Sequence, residues 1–135
     1  MPLLLDTGVL YAMADEDDAW HTRVLSYLRK TPDVLMTPVT VVPEAAYLLR
    51  LRLGSAIEQR FAASLAAREI AVEGLTHADL TRTAALMDER PDIGFVDASV
   101  VVIAERLKLA RIATTDRRHF SSIVPRHRAS FELVP

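Results

Sequence analysis

Four carboxylates carry the chemistry open to this chain: Asp6, Glu44, Asp97 and Asp116. Asp6 closes the apolar run Leu3-Leu4-Leu5 and is followed by Thr7-Gly8. An acid at the end of a buried strand is a poor choice for stability, because a buried charge needs a partner. Asp116 closes a second run, Arg111-Ile112-Ala113-Thr114-Thr115. Glu44 follows Pro43 in the first turn of an apolar helical stretch, and Asp97 follows Phe95-Val96 at the start of another. Carboxylates packed together repel unless protons or cations intervene. Oxygen ligands without His or Cys suit a hard ion, Mg²⁺ or Mn²⁺. Such an ion keeps bound waters, and one of these can attack a phosphodiester. Thr7 and Thr114 add hydroxyls beside Asp6 and Asp116 that could orient a carboxylate or a water.

Each residue alone has an ordinary explanation. An Asp after a strand is a common cap or turn former, and an acid in the first turn of a helix complements its dipole. Thr7 can cap, and Thr114 can simply pack in a strand. The acidic run Asp15-Glu16-Asp17-Asp18 reads as dipole compensation ahead of a helix. The conjunction is what points to a site: two strand-end acids and two helix-start acids would face one edge of a sheet.

The elements that must position them follow from periodicity and punctuation. Residues 2–5 predict a first strand, with Asp6 or Thr7 capping a helix over Val9–Met13. Trp20, Val24, Leu25 and Leu28 form a helical stripe that Thr31-Pro32-Asp33 ends. Val34-Leu35-Met36 predicts a second strand. Thr40 is placed to cap the helix that carries Glu44, with Pro43 tolerated in its first turn, until Gly54 stops it. Ser55-Ala56-Ile57-Glu58 and Thr76-His77-Ala78-Asp79 read as capping boxes of two further helices. Residues 69–72 predict a third strand, and Arg90-Pro91 ends the helix before it reaches the Asp97 stretch. Val100–Ile103 is β-branched enough for a strand, but its continuation through Leu109 favours a helix. Residues 111–114 form a fourth strand, Arg117–Phe120 a turn or short helix, and residues 130–134 an edge strand.

Strands alternating with helices specify an α/β sandwich with a parallel sheet, in one domain over residues 1–135. If the chain winds outward from strand one and returns to its other side at strand four, those two strands flank the switch point where such folds bind ligands. Asp6 and Asp116 end those strands.

The bulk numbers agree. Apolar residues make up 50% and charged residues 25% of the 135, which is globular composition. Met1-Pro2-Leu3 lacks the basic region of a signal peptide, no run approaches a membrane span, and no cysteine is present, so the expected compartment is the cytoplasm. A net charge of −2 argues against a strongly basic nucleic-acid binder, but without the four acids the remainder is −2 + 4 = +2. Of 16 basic residues only Lys30 and Lys108 are lysines. Arginine suits bidentate phosphate contacts, and a codon preference would produce the same excess.

Leu-Leu-Asp6-Thr7, Pro43-Glu44, Phe95-Val96-Asp97-Ala98 and Thr114-Thr115-Asp116-Arg117-Arg118-His119-Phe120 together resemble a PIN domain. More narrowly, the chain resembles a VapC-type toxin, the ribonuclease half of a bacterial toxin–antitoxin pair. The resemblance covers essentially the whole chain in order. It implies a three-layer sandwich, with a mostly parallel five-stranded sheet flanked by helices, and a Mg²⁺- or Mn²⁺-dependent endoribonuclease. It places Asp6, Glu44, Asp97 and Asp116 on the family's acidic positions and Thr114 on its hydroxyl position. Many members carry a small polar residue where this chain has Gly8, a departure expected to be harmless. The resemblance further implies a homodimer and an antitoxin whose C-terminal segment fills the site groove. Arg117, Arg118 and His119, and more remotely Arg126-His127-Arg128, are candidates to hold RNA phosphates.

Two rivals fail on the residues. Asp6-Thr7-Gly8 looks like an aspartic-protease motif, but that chemistry needs a second such Asp and a Gly-rich all-β frame. A phosphoryl-accepting receiver domain needs an acceptor Asp closing a middle strand and a late Lys, and this chain has neither. A PIN-like module that binds RNA or a partner without cutting, and a DNA nuclease of the same fold, stay open.

Overall fold

Apolar triplets alternating with helical stretches produce, in chain order, β1 (Leu3–Leu5), α1 (Thr7–Ala14), α2 (His21–Lys30), β2 (Leu35–Pro38), α3 (Val41–Leu53), α4 (Ser55–Ala66), β3 (Ala71–Glu73), α5 (His77–Glu89), α6 (Phe95–Leu107), β4 (Arg111–Ala113), α7 (Arg117–Ser121) and β5 (Glu132–Val134). The computed structural model describes residues 1–135 throughout. All four strand pairings are parallel, in the order β3-β2-β1-β4-β5. The expected outward winding and return is therefore realised, and β1 and β4 flank the switch point.

β1 is the centre of the sheet, and Leu3, Leu4 and Leu5 are wholly buried. Both faces of a parallel sheet are covered by crossover helices, so such a strand is apolar on both sides rather than alternating. The helices fall into two packed groups: α2, α1, α3 and α4 in succession, and α5 with α6. Right-handed crossovers place these groups on opposite faces. The helix α6 is nearly all core, with Ala98 through Ala104 buried. Its β-branched residues pack between sheet and α5, which explains how a strand-like composition forms a helix: tertiary burial overrides propensity.

Several local expectations are corrected. Thr40 makes no capping bond to α3; its hydroxyl instead lies 2.6 Å from the Ser99 hydroxyl of α6 and ties two helix starts together. Ser55 is not a cap either. It lies inside α4, Gly54 with φ +97° is the N-cap, and Glu58 pairs with Arg50 at 2.8 Å. The Thr76–Asp79 capping box does form, with both bonds at 3.0 Å. Asp79 also receives Arg106 at 3.0 Å, so this buried acid has a charged partner from α6. The run Asp15–Asp18 precedes α2 without entering its first turn. Asp18 accepts from the Trp20 amide, and Asp15 takes the Tyr11 hydroxyl.

Candidate metal centre

Each acid reaches the site by its own local device. Asp6 leaves β1 and caps α1: one carboxylate oxygen accepts from the Thr7 amide at 2.7 Å. Its other oxygen accepts from the Thr114 hydroxyl at 3.0 Å. The same hydroxyl accepts from the Asp116 amide at 2.9 Å. Thr114, wholly buried at the end of β4, thus links the two strand-end acids. Asp116 caps α7, its carboxylate accepting from the His119 amide. Asp97 stands in the first turn of α6 and Glu44 in the first turn of α3. All four line one open cleft of about 350 Å³, together with Tyr11, Asp18, Arg52 and Thr115.

Within the cleft the four are not equivalent. Asp97, Asp116 and His119 form a group whose ligand atoms all lie within 4.8 Å of one another. His119 Nδ1 is 3.0 Å from Asp116 and 3.6 Å from Asp97. Asp6 and Glu44 line the same cleft without joining that group. Asp6 is 5% exposed, and the Asp116 side chain is 46% exposed. The acids therefore run from a buried floor to an open rim.

The electrostatics follow from this gradient. Burial pushes the Asp6 carboxyl up from 3.8 to about 6. The Thr7 amide and Thr114 hydroxyl oppose that rise, while the negative charges of Asp97 and Glu44 add to it. Asp97 is also raised, first by burial, then by Asp116 and Glu44, with His119 pulling the other way. Burial is the main cause for both acids, and the mutual repulsion of the carboxylates adds to it. Arg52 of α3 lines the cleft and lies over the Tyr11 ring at 5.1 Å. The donor set fits a hard divalent ion: several carboxylate oxygens, one imidazole nitrogen and no sulfur. Thr7 adds a second sign. Its hydroxyl is buried beside Asp6 and has no hydrogen-bond partner.

Sequence reasoning missed two features here. The sequence offers His119 as a candidate for phosphates, whereas its ring lies against Asp116 and Asp97. Gly8 is not an incidental departure, because a Cβ there would collide with the Thr115 hydroxyl. The first turn of α1 packs directly on the Thr115 side chain, which would have to shift to admit any larger residue at position 8. The three-residue spacing from Asp116 to His119 at the start of a helix is the signal that turns the ring back toward the acid. No sequence signal announces the Gly8–Thr115 contact, which joins residues of different elements.

The PIN domain family model matches residues 3–124. The chain is 30% identical over 135 residues to ribonuclease VapC26 of Mycobacterium tuberculosis, covering 98% of this chain and 100% of that protein. Among solved structures it is similar to VapC20 of M. tuberculosis, described as a sarcin-ricin loop cleaving toxin, with TM-score 0.80 and 21% identity over 86% of this chain and 91% of that one. It is also similar to VapBC2 of Rickettsia felis bound to a promoter DNA fragment, with TM-score 0.73 and 15% identity over the full length of both chains.

Proposed function

The chain belongs to the PIN-domain family, and on that premise we propose that it is a divalent-metal-dependent endoribonuclease, the toxin of a toxin–antitoxin pair. The observation that carries this reading is the cleft in which Asp6, Glu44, Asp97 and Asp116 meet at the C-terminal ends of β1 and β4. The relative named as a ribonuclease at 30% identity over nearly the whole chain supports RNA as the substrate. Asp6, Asp97 and Asp116 would hold Mg²⁺ or Mn²⁺, with Glu44 at the rim binding directly or through water. Such an ion supplies an activated water and neutralises charge on the phosphate.

The chain's own residues account for the rest. Thr114 fixes the orientation of Asp6 and shares that hydroxyl with the Asp116 amide. The Thr7 hydroxyl is a free donor on the floor of the cleft. Arg117 and Arg118 follow Asp116 directly and are exposed, which suits them to phosphates beside the scissile one. The protein works in the cytoplasm. It forms a homodimer and is silenced by a cognate antitoxin. Tyr47 and Leu51, one turn apart on α3 and 64% and 65% exposed, offer apolar surface for such contacts.

The test is cleavage of total cellular RNA with Mg²⁺, with Mn²⁺ and with EDTA, comparing wild type and Asp97→Asn. Discrete metal-dependent cuts that vanish in a still-folded variant are expected. Equal cutting by the variant in saturating metal would overturn the assignment of Asp97. Absence of cuts from folded, antitoxin-free wild type under every metal would overturn the nuclease reading in favour of a binding module.

A further inference from the structure

We propose that the groove along α2 is a track for the RNA backbone flanking the cleavage point, with Arg117, Arg23 and Lys30 contacting successive phosphates. The proposal rests on the ribonuclease reading of the acid cleft and names where its substrate continues. Four observations carry it.

The first is charge. The helix α2 contains Arg23, Arg29 and Lys30 and no acid at all, in a chain whose net charge is −2. Three of the chain's 16 basic residues therefore lie on this helix with no acid among them, a local excess of positive charge of the kind a polyanion site needs. The second is shape. A groove of about 690 Å³ lies between α2 and the start of β4, and no acidic residue lines it. Its cations alternate with the hydroxyls of Thr22 and Ser26, which suit phosphate oxygens and ribose hydroxyls.

The third is availability. Arg111 at the groove's far end is paired with Asp33 and with the Tyr27 hydroxyl, but Arg23 and Lys30 make no ion pair or side-chain hydrogen bond within the protein. Arg23 instead lies over the Trp20 ring at 4.3 Å. A guanidinium stacked on an aromatic face keeps its N–H edge free for an anion while losing rotamer freedom beforehand.

The fourth is continuity with the acid cleft. Arg117, the residue after Asp116, lies over the same Trp20 ring at 5.7 Å and donates to the Pro135 carbonyl, and Pro135 also lines the groove. Trp20 therefore positions two guanidiniums at the junction of cleft and groove. From there α2 runs back toward the opposite edge of the sheet. Its 10 residues give a track about 15 Å long at about 1.5 Å per residue.

Continuity with the cleft and the interleaved hydroxyls favour RNA over an acidic protein segment, which is the competing occupant. The experiment compares wild type with Arg23→Gln/Lys30→Gln, both exposed positions outside the acid cleft. Binding of a labelled single-stranded RNA is followed in EDTA across salt concentrations, with polyglutamate as a competing probe. The variant is expected to bind about tenfold more weakly, and the slope of log affinity against log salt should shrink by about 1.4 for two lost phosphate contacts. With metal, KM for a long RNA should rise about tenfold at unchanged kcat, while cleavage of a tetranucleotide should not change. An unchanged slope and KM in a wild type that cleaves would overturn the track and leave the nuclease reading standing. So would a variant that loses polyglutamate binding and keeps RNA binding, which would assign the groove to an acidic protein. A wild type that cleaves nothing, yet shows the expected slope difference in EDTA, would overturn the nuclease reading and leave the track standing.

Discussion

Replacing Asp6 by Asn should make the metal-free protein more stable. In the folded chain the Asp6 carboxyl titrates at about 6, against 3.8 ordinarily. A rise of that size corresponds to about 3 kcal/mol. The sign follows from proton binding. Between about 3.8 and about 6 the folded state holds a proton that the unfolded state has released, so stability falls as pH rises through that window. Above it, the full penalty of a buried carboxylate is present, and an Asn carries none. Against this, the Asn amide would face the Thr114 hydroxyl and force it to accept instead of donate, costing about 1 kcal/mol. The net gain is about 1–2 kcal/mol, or about 4–8 °C in melting temperature for a chain of this size. Thermal melts of both proteins in EDTA at pH 5 and pH 7.5 measure it. The variant should melt higher at pH 7.5, and the gap should narrow at pH 5, where wild-type Asp6 is mostly protonated. Saturating Mg²⁺ or Mn²⁺ should raise the wild type and move the variant much less, since ligand binding to the folded state stabilises it by mass action. A variant that melts below wild type in EDTA at pH 7.5 would refute the reasoning and make Asp6 a structural cap. A gap that ignores pH would refute the electrostatic cause.

Other perturbations separate packing from chemistry. Thr114→Val keeps the shape but removes the donor to Asp6 and the acceptor for the Asp116 amide. It should cost about 1–3 kcal/mol and move the pH window of metal-free stability upward, while Thr114→Ser restores both, as urea titrations across pH would show. Gly8→Ala drives a methyl into the Thr115 hydroxyl and should cost about 1–3 kcal/mol, and adding Thr115→Ala should recover most of it in a double-mutant cycle. Asp97→Asn, as a rim acid only partly buried, should abolish metal-dependent cleavage with its melting temperature in EDTA unchanged or raised.

The order of elements was legible because it is set locally. Leu3-Leu4-Leu5 before a capping Asp reads as a strand buried on both faces, Gly54 and Arg90-Pro91 mark the ends of α3 and α5, and Asp6 and Asp116 sit where strand turns to helix. Given parallel strands and right-handed crossovers, those positions alone bring Asp6 and Asp116 to one edge. Side-chain partners across elements were not legible, because they depend on distances that no spacing along the chain encodes. Thr40 bonds Ser99 of a helix 59 residues away instead of capping its own. Asp79 meets Arg106, Gly8 makes room for Thr115, and His119 turns toward Asp97 rather than outward to solvent. The Arg23–Trp20–Arg117 stack is of the same kind, joining the start of α2 to the start of α7. Backbone punctuation and burial pattern are properties of short segments, and a sequence states them directly. The identity of a side chain's neighbour is decided only when separate segments compete for the same space, and here the folded chain made those choices.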